Sequence, residues 1–369
     1  MQNTLKFSHN SSSKDSFYST LKVRVDNYFK ERNISKNANG MMITKSFLFL
    51  GGAVILYFLI LSGWFTPWVM LLLAMCLGAF KAFIGFNVSH DAIHGSYSSK
   101  DSINRLISMS FFLIGANVDV WRVAHNNAHH MFTNIAGHDE DIDVAPGLIR
   151  LSADEKVNSW MRYQHIYAFL LYGLVSLSWV FRKDFVKFFK KEIGHCKNDF
   201  QKPKAYFNLF FFKFVYIILY IVLPLWLLDI TVFQFIIGFL AMHFVKGWIL
   251  GMVFQLAHLV EGTSFPLPNE EGNIENEWAV HQMYTTANFC RESLIANFLC
   301  GGLNFQIEHH LFPKVCHVHY REISNIVKKT AEDFQLPYLD NPTFLGALKS
   351  HYKLLKKLGN PTQAELQHI

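Results

Sequence analysis

The chain has 369 residues, of which 51% are apolar and 17% are charged, whereas soluble domains carry about 25% charged residues. Residues 46–80 form an unbroken run of 35 positions without a charged side chain. A spanning helix needs about 20 apolar residues. The composition therefore excludes a purely soluble enzyme and predicts an integral membrane protein.

The charged residues also limit the class of partner. The net charge is +6, and the basic residues flank the apolar runs, which favours contact with the headgroups of membrane lipids and predicts no nucleic-acid partner. The five cysteines are scattered without a CxxC pair, so we expect a reduced compartment and no disulfide framework. The polar N-terminus lacks the apolar stretch of a signal peptide.

The longest apolar runs form two predicted hairpins of membrane-spanning helices. Residues 45–63 and 67–89 make the first hairpin, and residues 206–228 and 230–258 make the second. At 1.5 Å per residue the fourth helix is about 42 Å long, whereas the hydrocarbon core is about 30 Å thick. We therefore expect the C-terminal turns of this helix to stand clear of the membrane.

Two further apolar segments, 103–118 and 166–181, are predicted to lie in the interface. The second has 16 uncharged residues, about 24 Å as a helix, which is short for a span. Basic residues lie at both of its ends, so a crossing would place one basic end outside, against the positive-inside tendency. Four spans then put every long polar segment on the cytoplasmic side.

These patterns predict an all-α integral membrane fold. Its four transmembrane helices form two hairpins, and a cytoplasmic helical cap holds a metal site. The predicted division is an N-terminal cytoplasmic segment (1–44), a membrane domain (45–340) and a cytoplasmic C-terminal tail (341–369). The sequence does not set the oligomeric state.

Eighteen histidines are many for this length, and seven of them fall into three groups. The groups are His90 and His94 in HDAIH, His125, His129 and His130 in HNNAHH, and His309 and His310 in QIEHH. On a helix, residues four apart share a face, so His90 with His94, and His125 with His129, can reach one ion at about 2 Å from each nitrogen.

Seven imidazoles exceed what a four-coordinate zinc site uses, and imidazole also suits iron, copper and nickel. The number fits two metal ions better than one. His258, at the end of the long fourth helix, is a predicted eighth ligand, the alternative being an ordinary interfacial histidine. His281 is a weaker candidate, because the sequence does not set its distance from the groups.

Carboxylates near the histidines are candidates to bond the free ring N–H of a ligand and so fix its tautomer. Glu308, Asp91 and Asp119 are the three predicted residues, and a surface carboxylate is the alternative for each. The acidic residues 139–143 fit a solvated loop better than a part of the site. Lys246 either extends to lipid headgroups or binds the phosphate of a substrate.

The three motifs, in this order around two apolar hairpins, resemble the histidine boxes of the membrane fatty acid desaturases. Gln306 at the start of the third box resembles the front-end (Δ5/Δ6, linoleoyl-type) acyl desaturases and the sphingolipid long-chain-base desaturases. GGLNF before this box and LFP after it extend the resemblance, which covers roughly residues 45–340.

The resemblance implies a di-iron centre and an O₂-dependent reaction that places a cis double bond in a fatty acyl substrate. The implied iron ligands are His90, His94, His125, His129, His130, His258, His309 and His310. Gln306 stands where many relatives have histidine. Because a neutral amide is a weaker ligand, either Gln306 binds iron directly or a water lies between them.

Many front-end desaturases carry a fused cytochrome b5 domain with an HPGG haem motif, and this chain has no HPGG. The resemblance therefore implies a separate electron donor, a ferredoxin or cytochrome b5. The composition suggests a bacterial cytoplasmic membrane, with the active site on the cytoplasmic face. The double-bond position and the acyl carrier (CoA, glycerolipid or ceramide) stay open.

Three other classes remain to be weighed. A membrane di-iron hydroxylase of lipids or alkanes has the same architecture, but the QIEHH context argues against it. A metal transporter would need polar groups along a path through the spans, whereas the histidine groups lie outside them. A structural scaffold leaves the three groups unexplained.

Overall fold

The computed structural model describes residues 5–8, 16–142, 145, 147–151, 155–198, 200 and 202–360. The helices of this part of the chain are α1 (Phe17–Glu31), α2 (Gly40–Leu61), α3 (Pro67–His94), α4 (Asp101–Leu113), α5 (Val118–His129), α6 (Ser159–Phe189), α7 (Pro203–Leu227), α8 (Val232–His258), α9 (Trp278–Thr285), α10 (Leu294–Leu299), α11 (Gln306–Leu311), α12 (Tyr320–Asp333) and α13 (Phe344–Gly359).

Short strands pair in three two-stranded ladders. They are β1 (Lys6–Phe7) parallel to β4 (Asn273–Ile274), β2 (Glu192–Ile193) antiparallel to β3 (Cys196–Lys197), and β5 (Asn288–Phe289) parallel to β6 (Asp340–Asn341). The β5–β6 ladder ties the segment between α9 and α10 to the segment before α13. The mainly helical fold that the sequence predicts is confirmed.

Five of the described helices are long and apolar enough to cross a membrane: α2, α3, α6, α7 and α8. Four of them match the predicted spans within a few residues. The fifth, α6, contains the segment that we predicted to lie in the interface. Helices α4 and α5 form a pair bent by 110°, which passes the same test only if the two are taken together. The number of crossings thus stays a prediction.

Both ends of α6 contact the side of the molecule that carries the histidines. Near its start, the Gln164 amide donates to the carbonyl of Leu355 in α13 at 2.9 Å, and α13 itself bonds to the residue after α8. Near its end, the Lys187 ammonium lies 3.5 Å from Asp141, which bonds to His125. A crossing helix has its ends on opposite sides, so these contacts favour the interfacial placement.

Helix α8 packs closely against α3 and α6 because glycines let the backbones approach. A Cβ at Gly78 of α3 would collide with the carbonyl of Met242, and one at Gly247 would collide with the carbonyl of Gly173 in α6. Small residues at helix contacts are typical of membrane proteins, where close packing replaces the hydrophobic effect. Helix α8 therefore holds the two hairpins and α6 together.

The bend between α4 and α5 exposes backbone groups in an apolar region, and buried side chains bind them. The Lys246 ammonium donates to the carbonyl of Ile114 at 2.6 Å, and Lys213 donates to that of Gly115 at 2.7 Å. Asp184 accepts from the Asn117 N–H at 2.8 Å and pairs with Lys213 at 2.7 Å. Irregular backbone at membrane depth needs such partners.

This arrangement corrects the expectation for Lys246. Its side chain is 1% exposed, and its ammonium binds the bend before α5 instead of lipid headgroups or substrate. The bend leads directly into the helix that carries the second histidine group.

We expect Lys213→Met to lower the free energy of unfolding by about 3–5 kcal/mol, because it leaves the Asp184 carboxylate buried without its cation. Thermal unfolding of the purified protein in detergent measures the change. Lys204→Met, at an exposed position of the same helix, is the matched control. Equal melting temperatures for the two variants would contradict this account of the bend.

Cysteine labelling tests the placement of α6. Trp160→Cys and Lys191→Cys put thiols at exposed positions at its two ends, and Trp64→Cys puts one in the α2–α3 turn. With a membrane-impermeant maleimide, we expect the two α6 positions to react from one side of sealed vesicles and the turn position from the other. Reaction of the two α6 positions from opposite sides would make α6 a fifth crossing.

Candidate metal centre

Two of the three histidine groups of the sequence lie on helix ends whose geometry is irregular. In α3 a π-helical turn, Gly85–Ser89, precedes His90–His94, and in α5 the π-helical segment is Val123–His129. Such wide turns inside α-helices are frequent at functional sites. Gly95, with φ of 77°, ends α3 in the left-handed region, where its N–H bonds to the last carbonyls of the helix.

The structure brings all eight predicted histidines together. The ligand nitrogens within each of two groups lie within 4.8 Å of one another: His90, His94, His125 and His309 in the first, and His129, His258 and His310 in the second. His130 lies between them, with its Nε2 3.2 Å from the Nε2 of His125 and its ring 4.3 Å from that of His310.

Several of these nitrogens are buried without a hydrogen-bond partner among the described residues. They are both ring nitrogens of His90, Nε2 of His94, Nε2 of His129, Nδ1 of His130 and Nε2 of His309. Burial and the neighbouring histidines hold the pKa values of His309 and His310 well below the ordinary range, so both rings are neutral at pH 7. Neutral imidazoles with free lone pairs are the donors that divalent iron or zinc accepts, and the residues fit two metal ions.

Two aspartates orient the second histidine segment. The Nδ1–H of His129 donates to Asp139 at 2.9 Å, and the Nδ1–H of His125 donates to Asp141 at 2.8 Å. Burial opposes ionisation of Asp141, but the Lys187 ammonium holds the pKa of this carboxyl below its ordinary value. When a carboxylate accepts a hydrogen bond from one ring nitrogen, the other ring nitrogen is free to bind a metal ion.

The expectation of a solvated acidic loop is therefore wrong for Asp139 and Asp141. Asp139 is 4% exposed and also accepts from the N–H of Asn134. Asp143 lies outside the described residues. The loop folds back onto α5, and no spacing in the sequence relates a carboxylate to a histidine ten or sixteen positions earlier.

Further orienting contacts come from distant parts of the chain, and no motif or spacing in the sequence predicts them. The Oε1 of Gln282 in α9 accepts from the Nδ1–H of His310 at 2.8 Å. The carbonyl of Thr285 lies 3.3 Å from Nδ1 of His258. Thus α9 sets the tautomer of two histidines in the second group.

The two weaker ligand candidates occupy different places. Gln306 lies within the second group, where its side-chain amide is 2.8 Å from Nε2 of His258 and 3.3 Å from Nε2 of His310. His281 lies outside both groups, because its Nε2–H donates to the carbonyl of Thr133 at 2.9 Å. Burial lowers the pKa of His281 to about 4.

The three predicted carboxylates also differ. Asp91 has one oxygen 3.8 Å from Nδ1 of His90. Glu308 accepts hydrogen bonds from Asn288 and Tyr338 instead of a histidine, and burial raises its pKa to about 7. Asp119 pairs with Arg122 at 3.3 Å and accepts from Asn208, because the side chain turns away from the histidines towards α7.

Comparison with known proteins agrees with the arrangement of the histidines. A family model described as fatty acid desaturase matches residues 62–342. The chain belongs to the fatty acid desaturase family. This desaturase is therefore an oxidoreductase, as the histidine boxes predict, with helices apolar enough to span a membrane and histidine groups that could bind metal.

Relatives of this desaturase span nearly its whole length. An acyl-lipid (8-3)-desaturase of Physcomitrium patens is 39% identical over 94% of this chain and 72% of the relative. A Synechocystis protein named sn-1 linoleoyl-lipid 6-desaturase is 34% identical over 94% of this chain and 96% of the relative. A protein of the same name in Arthrospira platensis is 32% identical over 96% of this chain and 95% of the relative.

Asp139→Asn tests the orienting role of this carboxylate. The carboxylate accepts from His129, Asn134 and Asp141 through both oxygens, whereas an amide has a single acceptor. We expect metal affinity to fall about 10–100-fold, measured by competition with a chelator. Asp119→Asn is the control and should bind metal like the parent. Unchanged affinity in the Asp139 variant would show that its hydrogen bond does not orient His129.

Proposed function

We propose that this desaturase uses O₂ and two iron ions to introduce a cis double bond into a membrane-lipid acyl chain. The observation that carries the proposal is the pair of adjacent groups of buried imidazoles with free nitrogens. Four histidines would hold one iron and three the other, with His130 between them. Gln306 would complete the second group directly or through water. Bound iron supplies the oxidant that an unactivated C–H bond requires.

A groove beside the first group offers a place for the acyl chain. It runs between α5, α6 and α8, with a mainly apolar lining that includes Trp121, Trp179, Leu250 and Phe254. The charged residues Asp141 and Lys183 also line it. The ring of Trp121 stacks on His125 at 4.1 Å between centroids. An apolar groove that reaches a ligand ring can hold a methylene chain against the metals and exclude water.

A larger apolar groove of about 440 Å³ lies between the two hairpins, but its position argues against a catalytic role. Its lining includes Pro67, Trp68, Pro224 and Phe233, which lie near the α2–α3 and α7–α8 turns. These turns are at the ends of the hairpins opposite His94 and His258. We therefore assign the acyl chain to the smaller groove.

The names of the relatives support a lipid-linked substrate. The relatives are acyl-lipid and linoleoyl-lipid desaturases, and the proposed groove lies between helices that are themselves apolar enough to enter the membrane. We propose a front-end (Δ5/Δ6-type) reaction on such a lipid. Electrons would come from a separate ferredoxin or cytochrome b5 on the cytoplasmic face of a bacterial inner membrane.

Fatty-acid analysis by gas chromatography–mass spectrometry tests this function. The protein is expressed, with a ferredoxin or cytochrome b5, in a host fed defined acids. We expect a new double bond that disappears in His129→Ala, because this variant removes a ligand of the second group. His195→Ala, at an exposed histidine outside both groups, should keep the product.

The same measurement separates the competing functions. A His129-dependent hydroxyl group in place of the double bond would identify a hydroxylase and overturn desaturation. A new double bond only in long-chain bases would move the substrate to sphingolipids. Iron analysis of the purified parent should give two ions per chain, and a different metal or stoichiometry would contradict the di-iron centre.

A further inference from the structure

A second buried cluster of polar side chains lies behind the first histidine segment. It joins Lys45 of α2, Asp91 of α3, and the adjacent residues Cys316 and His317 that follow α11. Each is at most 4% exposed. The Lys45 ammonium lies 2.8 Å from Nε2 of His317, and Nδ1 of His317 lies 2.9 Å from Oδ2 of Asp91.

The donors in this cluster determine where its protons are. An ammonium can only donate, so Nε2 of His317 accepts from Lys45 and the ring proton is on Nδ1, from which it is donated to Asp91. The same oxygen of Asp91 accepts from the N–H of His317 and the Sγ–H of Cys316. The charges of Lys45 and Asp91 are thus joined through a neutral imidazole, which makes their burial tolerable.

The cluster contacts the helix end that carries the first histidine group. Asp91 lies between His90 and His94, and successive residues of a helix are about 100° apart. When the side chain of Asp91 is fixed, the direction in which the two histidines point is fixed with it. The π-helical turn Gly85–Ser89 just before them changes the rotation of this end relative to the rest of α3, so the rotation needs an anchor outside the helix.

The anchor belongs to the segment that also carries the third histidine group. His317 follows His309 by eight residues, and a Cβ at Gly302, before α11, would meet the Cβ of His317. The bridge therefore relates the first histidine segment to the third, and both supply nitrogens to the first group. It contacts none of the three histidines of the second group.

We propose that the Lys45–His317–Asp91 bridge is a positioning device that turns His90 and His94 towards His125 and His309 and so permits metal binding in the first group. The residues act through the helix end and do not touch the metal. This inference rests on the proposed two-metal centre and adds to it a set of residues on which one of the two positions depends.

Iron content of purified, full-length variants tests the proposal. His317→Leu removes both hydrogen bonds of the bridge, whereas His317→Gln keeps an acceptor for Lys45 and a donor for Asp91. His319→Leu is the matched control, since its ring bonds to the carbonyl of Asn37 and not to the first segment. Iron per chain is measured by mass spectrometry, and thermal unfolding reports whether each variant is folded.

We expect about two irons per chain in the parent, His317→Gln and His319→Leu, and a twofold drop to about one in His317→Leu. Selective loss of one iron, with rescue by glutamine, is a result that general destabilisation does not give. X-ray absorption should show the remaining iron with the nitrogen coordination of the second group. Two irons in folded His317→Leu, or equal loss of both without rescue, would overturn the proposal.

A second pair of variants covers the case in which His317→Leu does not fold. Lys45→Leu removes the donor to Nε2 of His317, and Lys45→Gln supplies an amide donor in its place. We expect about one iron per chain in Lys45→Leu and about two in Lys45→Gln. Two irons per chain in both variants would refute the proposed role of the bridge. Fewer than two irons in the parent would instead overturn the proposed two-metal centre, so the two failures are distinguishable.

Discussion

Buried imidazole nitrogens that lack hydrogen-bond partners are the feature on which the rest of this structure depends. An unsatisfied buried polar atom costs about 1–3 kcal/mol, and six such ring nitrogens belong to His90, His94, His129, His130 and His309. Metal ions bound to these nitrogens, as proposed, would remove this cost. Four segments from distant parts of the sequence converge here, so each must be held in a fixed direction.

Charged side chains just outside the histidine groups hold the histidines in these directions. Asp139 and Asp141 each accept a hydrogen bond from the Nδ1–H of a histidine in α5, while Lys246 and Lys213 bind the carbonyls of the bend from which α5 starts. In an apolar surrounding, every irregular piece of backbone needs a partner. The buried lysines therefore serve the fold, and they allow a sharp bend next to the histidine helix.

The long helix α8 and the glycine contacts explain how the apolar helices support the histidine groups. Gly78 and Gly247 allow α3 and α6 to approach α8 closely, and α3 and α8 both end in histidines. Helix α8 is about 40 Å long, which exceeds the roughly 30 Å thickness of a hydrocarbon core. Helix length thus sets the height of the histidines, and side-chain bridges set their rotation.

By itself, the sequence determined the helical class, the apolar hairpins, the family and the set of histidines, because helix periodicity and the length of apolar runs are local properties. The i, i+4 spacing predicted that His90 and His94 share a face, and helix length predicted that His258 projects with them. Only the tertiary structure decided the partners: Asp141 for His125, Gln282 for His310, and the place of His281 outside both groups. These contacts join residues that are far apart in the chain, and their geometry follows from how the helices pack.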